Sequence, residues 1–154
     1  MLKFTTINPE KQSERVIEFR KDSFKVSFGD AVDFDEIEYL HWLKEKTTDY
    51  PDGFVVIEED GKLIGQLELS IREYEGKRIG YVNLYYLVPE SRGKGRGKEL
   101  HAYAKEFFKN RRVKEFHLRV APTNTPAIKF YHKLGMEELG PEVNGKVIRM
   151  KGSI

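Results

Sequence analysis

Hydrophobic residues recur along the chain with two different periods, and these predict a fold that mixes strands with helices. The most continuous apolar run is Tyr81–Val88. It is rich in aromatic and β-branched residues and is therefore predicted to be a buried strand. Pro89 ends this central strand, because proline lacks the N–H that a strand ladder needs.

Three more strands are predicted upstream of the central strand. Leu2–Ile7 and Leu63–Tyr74 alternate apolar and polar residues, and Phe54–Glu58 is a short apolar run. Asp60-Gly61 indicates a hairpin turn, because both residues tolerate positive φ, and Glu75-Gly76 marks the next turn. The second and third strands should therefore form an antiparallel meander with the central strand, which is the fourth.

Two helices are predicted between the first and second strands. One covers Lys11 to about Ser23 and gives way to a loose turn near Gly29. The other covers Asp33–Thr47, where apolar residues recur with a helical period. The predicted face of this second helix consists of Ile37, Leu40, His41 and Leu43, with Phe34 at its start.

A third helix and a fifth strand are predicted after the central strand. The strand is Glu115–Val120, with His117 and Arg119 on the face opposite its apolar residues. A strand–helix–strand order predicts that the fifth strand runs parallel to the fourth. The helix between them places these apolar residues on one face: Leu100, Tyr103, Ala104, Phe107 and Phe108.

A short helix and a final pair of strands complete the predicted fold. Thr125 is a candidate N-cap for this helix, with Pro126 at its first position, and Gly135 should stop it. Met136–Leu139 and Val147–Met150 are predicted to pair as the last two strands.

Length and composition favour one soluble globular domain that spans residues 1–154, since 39% of the residues are hydrophobic and 34% charged. The net charge of +2 is too small to indicate nucleic-acid binding. No apolar run is long enough to cross a membrane, and the N-terminus lacks a signal-peptide core, so we expect a cytoplasmic protein.

The absence of cysteine excludes disulfides, thiolate metal sites and a cysteine nucleophile. The four histidines are scattered without ligand spacing, so no metal is expected. A mechanism with a covalent cysteine intermediate is therefore excluded.

Arg92–Lys98, in which glycines alternate with cations, lies between the central strand and the third helix. A strand, a glycine-rich turn and a helix N-terminus form an anion site, because the first helical amides have no intrahelical partner. A Walker A loop does not fit, since Glu99 follows Lys98 where Ser or Thr is required. The dinucleotide pattern fails as well, because Leu100 stands at the third glycine.

Arg92, Gly95 and Gly97 fit the pattern Arg/Gln-x-x-Gly-x-Gly/Ala, which resembles the acyl-CoA loop of the GNAT superfamily of N-acetyltransferases. A basic turn that caps a helix, or an RGG-like nucleic-acid contact, would explain the same residues. A second match favours the family. It consists of Asn124, Ala127, Phe130-Tyr131 and Lys133–Met136, which resemble Asn-x-x-Ala-x-x-Phe-Tyr-x-Lys-x-Gly-Phe with Met136 in place of the aromatic.

This resemblance covers nearly the whole chain and implies a fold and an activity. The implied fold is α/β (α+β), with a mixed, mostly antiparallel central sheet, helices on both faces and a splay between the fourth and fifth strands. The implied activity is transfer of the acetyl group of acetyl-CoA to a primary amine by direct attack in a ternary complex. A non-catalytic acyl-CoA-binding or nucleic-acid-binding module is the alternative, although the cations elsewhere are interspersed with acids.

The resemblance also assigns roles to individual residues. Pantetheine would lie between the fourth and fifth strands, with an N–H near Leu87 or Val88 meeting the acetyl oxygen. Tyr131 corresponds to the residue that protonates the departing sulfur, and Asn124 to an asparagine near the cofactor. The pyrophosphate would be bound by Arg92, Gly93, Lys94, Gly95, Arg96, Gly97 and Lys98.

The general base is not determined by the sequence. Many relatives carry an acid on the fourth strand, but Ile79–Val88 contains none, and Asn83 can only hold a water. Glu68, Glu73 and His117 are candidates, although each would equally suit the exposed face of a strand. A water chain, or direct capture of the unprotonated amine, is also open.

The sequence does not identify the acceptor more closely than a small-molecule or peptide amine. It also does not determine whether the protein forms a homodimer. Asp30, Asp33 and Asp35 precede or begin the second helix with no basic residue among them. They are interpreted either as acids favoured by the helix dipole or as an acidic wall that attracts a cationic amine.

Overall fold

The computed structural model describes all residues from Met1 to Ile154. It contains seven strands, four α-helices and one short 3-10 helix, Pro89–Ser91. The strands are β1 Leu2–Thr6, β2 Phe54–Glu59, β3 Lys62–Tyr74, β4 Lys77–Leu87, β5 Glu115–Val120, β6 Glu137–Glu142 and β7 Val147–Ser153. The helices are α1 Ser13–Phe28, α2 Glu36–Asp49, α3 Arg96–Asn110 and α4 Thr125–Lys133.

All strands join one sheet in the order β1-β2-β3-β4-β5-β7-β6. Every neighbouring pair is antiparallel except β4 and β5, which run parallel. These two strands pair only from Gly80 opposite Phe116 to Val82 opposite Leu118. Beyond that point they diverge, which confirms the predicted fold class and the splay.

A β-bulge interrupts the pairing of β4 with β3 near the point of divergence. Val82 lies opposite Leu69 and Leu84 opposite Glu68, so Asn83 is the extra residue. Because an extra residue breaks the alternation of side chains, the bulge changes which residues face each side of the sheet. Tyr85 consequently packs with the α3 cluster, whereas its neighbour Leu84 packs against α1.

Helices cover both faces of the sheet. On one face, α3 and the chain around α4 enclose the largest core, where the rings of Phe108 and Phe116 stack with centroids 5.5 Å apart. On the other face, α1 and α2 bury a smaller cluster that includes Val16, Leu43 and Phe54. None of the helices combines the length and the apolar character needed to cross a membrane.

Several predicted boundaries are wrong, mostly because capping residues were misassigned. Helix α1 runs past Ser23 to Phe28, and Gly29 ends it in the left-handed conformation with φ 87°. Helix α2 begins at Glu36 because the side chain of Asp35 caps it by accepting from the Glu38 N–H. The last two strands are also longer than predicted.

Two predicted local roles are corrected as well. Leu43 is buried and Leu40 packs beside it, as predicted, but Ile37 is 74% exposed and His41 is exposed as well, and Tyr39 is buried in their place. The N-cap of α4 is Asn124, whose side chain accepts from the Ala127 N–H, and not Thr125. The predicted face of α2 is therefore right at Leu40 and Leu43 and wrong at Ile37 and His41, and the cap of α4 lies one residue earlier than predicted.

Gly80 provides a test of how closely α3 packs on the sheet. A Cβ atom at Gly80 would lie 2.4 Å from the Phe108 ring, so Gly80→Ala should overpack the core. We expect its free energy of unfolding to fall by about 1–3 kcal/mol in urea denaturation. Glu73→Ala, an exposed change on the adjacent strand, is the control. Equal stability of the two variants would contradict this packing.

Candidate active site in the cleft between two strands

A cleft of about 810 Å³ opens where β4 and β5 diverge. Its walls are the second half of β4, the end of β5, the N-terminus of α3, and α4. Tyr85 and Tyr131 line it on the α3 side, and Ser23, Val26 and Ser27 of α1 line it on the other face. The cleft therefore reaches both faces of the sheet, so two molecules could approach one point from opposite sides.

The N-terminus of α3 forms one end of this cleft and has the geometry of an anion site. Gly95 is the N-cap in the left-handed conformation, with φ 80°, and no side chain caps the helix. The first amides of α3 therefore remain available to an anion, with the positive end of the helix dipole behind them.

Gly97 is required for the packing of this helix end. A Cβ atom at Gly97 would lie 2.9 Å from the ring of Phe130, which belongs to α4. The two sequence motifs thus meet in space, because the glycine of one makes room for the aromatic residue of the other. This contact fixes α4 beside the mouth of the cleft.

The cations of the loop divide into two groups. Arg92 donates to the Leu87 carbonyl over 2.8 Å and to Asp22 over 3.0 Å, and Arg96 donates to Glu59 over 2.6 Å. These two arginines therefore tie the loop to the rest of the domain. Lys94 and Lys98 have no such carboxylate partner and, with the backbone amides, are left for a phosphate.

The backbone of β4 offers donors along one side of the cleft. The Val88 N–H donates to the Ile64 carbonyl over 2.8 Å, so the expectation that it could meet an acetyl oxygen is wrong. Because N–H groups alternate along a strand, those of Leu87 and Tyr85 point away from β3 and toward the cleft. Leu87 therefore remains a candidate donor, and Tyr85 joins it.

Tyr131 lies in the cleft as the sequence motif implies. It is half-buried, and its ring centroid is 6.3 Å from that of Tyr85. Burial raises the pKa of Tyr131 to about 12, so its hydroxyl carries a proton at neutral pH. The hydroxyl of Tyr85 lies 3.2 Å from Nδ1 of His101. Burial lowers the pKa of that histidine and raises the pKa of Tyr85, so a protonated phenol faces a neutral ring.

Asn124 and Asn83 both line the cleft, and both use their side chains to hold the fold. The Asn124 side-chain oxygen caps α4, which leaves its amide group for a ligand. Asn83 donates to the Ser70 hydroxyl over 3.0 Å and accepts from Arg72 over 2.7 Å. Its side chain is therefore fixed at the point where β4 and β5 diverge.

Glu68 is not brought to the cleft. Its side chain is fully buried between α1, α2 and the sheet, where it forms an ion pair with Arg20 over 3.0 Å. It also accepts from the Tyr39 hydroxyl and, over 2.8 Å, from Gln66. This carboxylate is enclosed and partnered, so it holds two helices on the sheet and has no path to a substrate proton.

His117 is likewise engaged in a buried network. Arg149 donates to its Nδ1 over 2.9 Å, so its Nε2 carries the proton that bonds Glu115 over 2.7 Å. Burial lowers the pKa of His117 and keeps the ring neutral. Hydrogen bonds from His117 and Lys77 lower the pKa of Glu115 to about 2. With its one lone pair occupied, His117 is poorly placed to accept a proton.

The remaining acidic residues considered from the sequence also lie outside the cleft lining. Glu73 is exposed near the far end of β3. Asp30 accepts from the Val32 N–H and Asp35 caps α2, so two of the three acids before α2 serve local backbone structure. No group of three or more histidine, aspartate or glutamate side chains is arranged to hold a metal ion.

Tyr85 and Arg119 are among the lining residues of the cleft that sequence reasoning did not assign to the site. Periodicity placed Arg119 on the face of β5 opposite its apolar side chains, but it could not show that this face meets the cleft. Tyr85 depends on the bulge at Asn83, for which the single sequence carries no signal.

Comparison with known proteins places the chain among acetyltransferases. Residues 13–136 match the model of the acetyltransferase (GNAT) family. The chain is 29% identical over 119 residues to the mycothiol acetyltransferase of Acidothermus cellulolyticus, covering 70% of this chain and 36% of that protein. It is 33% identical over 103 residues to an uncharacterized N-acetyltransferase of Methanocaldococcus jannaschii, covering 65% and 44%. The chain thus spans less than half the length of these two relatives.

The fold is also similar to a crystal structure of the PaiA N-acetyltransferase from Thermoplasma acidophilum in complex with coenzyme A. The TM-score is 0.74 at 23% sequence identity, and the match covers 100% of this chain and 99% of the other. That likeness concerns the fold alone. The family model, however, covers most of the chain and both of its motifs, and the chain therefore belongs to the acetyltransferase (GNAT) family.

Proposed function

We propose that this chain transfers the acetyl group of acetyl-CoA to a primary amine that enters the cleft from the other face of the sheet. The observation that carries the proposal is the cleft itself, which joins the uncapped N-terminus of α3 to the diverging edges of β4 and β5. The relative from Thermoplasma acidophilum, which has this fold, was crystallised with coenzyme A.

The residues of the cleft fit an elongated acyl-CoA. The amides at the start of α3, with Lys94 and Lys98, would bind the pyrophosphate. From Leu87 back to Asn83 the strand rises about 13 Å, and along this length the N–H groups of Leu87 and Tyr85 would pair with pantetheine. An RGG-like role in nucleic-acid binding loses support, because Arg92 and Arg96 are already paired with carboxylates.

Acetyl-CoA supplies an activated thioester, and the side chains around it supply position, hydrogen bonds and a proton. An N–H of Leu87 or Tyr85 would donate to the acetyl oxygen as negative charge develops there. Tyr131 would donate its phenolic proton to the sulfur as the C–S bond breaks and the new C–N bond forms. Asn83 would orient the amine or a water molecule at the point where the strands diverge.

The amine is proposed to react in its unprotonated form without a side-chain base. No aspartate, glutamate or histidine lines the cleft, and the two best candidates, Glu68 and His117, are held in other networks. Amines of low pKa would then be the better acceptors at neutral pH, because a larger fraction of them is uncharged.

Gly95→Val tests the anion site at the start of α3. A β-branched residue is strained at φ 80° and would displace the amides, so the affinity for acetyl-CoA should fall at least about tenfold by calorimetry. Gly76→Val introduces the same strain at φ 75° in a remote turn and is the matched control. Similar affinities for both variants would remove the loop from the cofactor site.

Tyr131→Phe tests the proton donor. The ring packing is kept and only the hydroxyl is lost, so kcat should fall by about 10²–10⁴-fold while acetyl-CoA affinity changes little. Tyr103→Phe, which removes a hydroxyl that bonds the Asp52 carbonyl on the surface of α3, is the control. If the Tyr131 variant keeps full kcat under conditions where chemistry limits the rate, Tyr131 is not the proton donor and contributes only to packing.

The pH dependence tests direct capture of the amine. The kcat/KM value should rise with pH and level off at the pKa of whichever amine is used. No fall should follow up to about pH 10, because Tyr131, with a pKa of about 12, stays protonated there. Acceptors of different pKa should therefore give different plateaus. One common inflection for all of them would indicate an enzyme base.

A further inference from the structure

Three arginines from three strands lie together on the α1 side of the sheet, where the cleft reaches that face. They are Arg72 of β3, Arg119 of β5 and Arg149 of β7, which we call the arginine cluster. Arg119 itself lines the cleft, and Arg72 bonds the side chain of Asn83, which also lines it. The cluster therefore adjoins the end of the cleft opposite the pyrophosphate loop.

Arg119 and Arg149 are held together although they repel each other. They lie directly opposite across the β5–β7 ladder, an arrangement that is unfavourable for like charges. Glu142 of β6 offsets this repulsion by accepting from both, over 2.9 Å to Nε of Arg119 and 2.7 Å to Nε of Arg149. One carboxylate is thus shared between two guanidinium groups.

Arg72 completes the cluster and has no carboxylate of its own. Its Nη2 donates over 2.7 Å to the neutral Asn83 amide, and its guanidinium lies 3.9 Å from the centroid of the Tyr81 ring. Burial, together with the positive charges of Arg119 and Arg149, lowers the pKa of Arg72. The three guanidinium groups are therefore close enough to interact electrostatically.

Cationic charge and hydrogen-bond donors both exceed what the fold uses. Three guanidinium groups face one carboxylate, Glu142, which leaves two positive charges uncompensated within the cluster. Arg149 is only 7% exposed and donates a further hydrogen bond to neutral His117. Arg119 uses only its Nε and Arg72 only one Nη in these bonds, so both keep unbonded donors, and Arg119 lines the cleft.

We propose that the arginine cluster binds a carboxylate carried by the acceptor, so that the preferred substrate is a small amine bearing a carboxyl group, such as an amino acid. The inference rests on the proposed acetyl transfer, since it concerns the acceptor of that reaction. Asn83 and Arg119 follow directly after the last paired residues of β4 and β5. A carboxylate bound there would leave an amine a few bonds away at the proposed position of the thioester.

A purely structural role accounts for only part of the cluster. The need to hold the β6–β7 hairpin explains why Glu142 accepts hydrogen bonds from the Nε atoms of Arg119 and Arg149. It does not explain why Arg72, without a carboxylate partner, is held beside them by Tyr81 and Asn83. Planar guanidinium groups with spare donors match a carboxylate in two-point geometry, and a partly desolvated site strengthens such a pair.

The test compares matched acceptors with and without a carboxylate. Glycine, L-leucine, L-glutamate and L-lysine are each assayed against the corresponding α-carboxamide, and kcat/KM is divided by the unprotonated fraction of each amine. The acids should be preferred by about 10- to 100-fold, the range of a charge-assisted hydrogen bond. Arg119→Gln and Arg72→Gln should lower this ratio toward 1, and Arg72→Lys should restore part of it. Arg112→Gln, a remote exposed change, should keep it.

A binding arm separates this inference from the proposed activity. N-acetylglycine and N-acetylglycinamide are titrated calorimetrically into CoA-saturated protein. If N-acetylglycine binds more tightly than its amide and Arg72→Gln abolishes the difference, the arginine cluster binds a carboxylate. This conclusion holds even if no amine is acetylated, and only the proposed activity then fails. Turnover of amines with a ratio near 1, or a ratio unchanged in both glutamine variants, overturns the cluster and leaves the activity standing. Failure of N-acetylglycine to bind more tightly than its amide in the absence of turnover overturns both.

Discussion

The bulge at Asn83 is the constraint on which the rest of the cleft depends. It comes one residue after Val82, the last residue of β4 that pairs with β5. By breaking the alternation of side chains, it turns Tyr85 toward α3 and Tyr131 while Leu84 stays against α1. The same strand thus lines the cleft on one face and holds a helix on the other. Without the extra residue, Tyr85 and Leu84 would exchange faces and the cleft would lose one wall.

Most of the buried charged side chains of the domain are bonded to one another in closed networks. This limits which side chains are available for chemistry in the cleft. The cost of burying the Glu68 carboxylate is offset by Arg20, Tyr39 and Gln66, and that network fastens α1 and α2 to the sheet. On β5, both ring nitrogens of His117 are likewise engaged in hydrogen bonds, to Arg149 and Glu115. What remains in the cleft are phenols, cationic side chains, amides and backbone N–H groups, which suit positioning and hydrogen bonding more than proton removal. A member of the acetyltransferase (GNAT) family built in this way would depend on the supply of uncharged amine.

Elements with strong local signals were predictable from the sequence. The sheet from β2 to β5 follows from period-two runs and turn residues, and the two motifs located the loop before α3 and the position of Tyr131. Features set by long-range packing were not predictable. Glu68 alternates like a surface residue, and only the arrival of α1 and α2 buries it. From the sequence, Gly97 is predicted to be a flexible loop residue, yet it lies in a helix. Glycine is required at this position because Phe130, far along the chain, packs against it.

If acetyl-CoA occupies the cleft between β4 and β5, hydrogen exchange measured with and without coenzyme A should reveal it. Backbone amides that bind the ligand, or that become covered by it, should exchange more slowly when the ligand is present. We expect slower exchange in the second half of β4, in residues 93–99 and in α4, with little change in the α2 amides. Unchanged exchange at residues 93–99 with saturating ligand, or protection confined to another surface, would show that the ligand does not bind in this cleft.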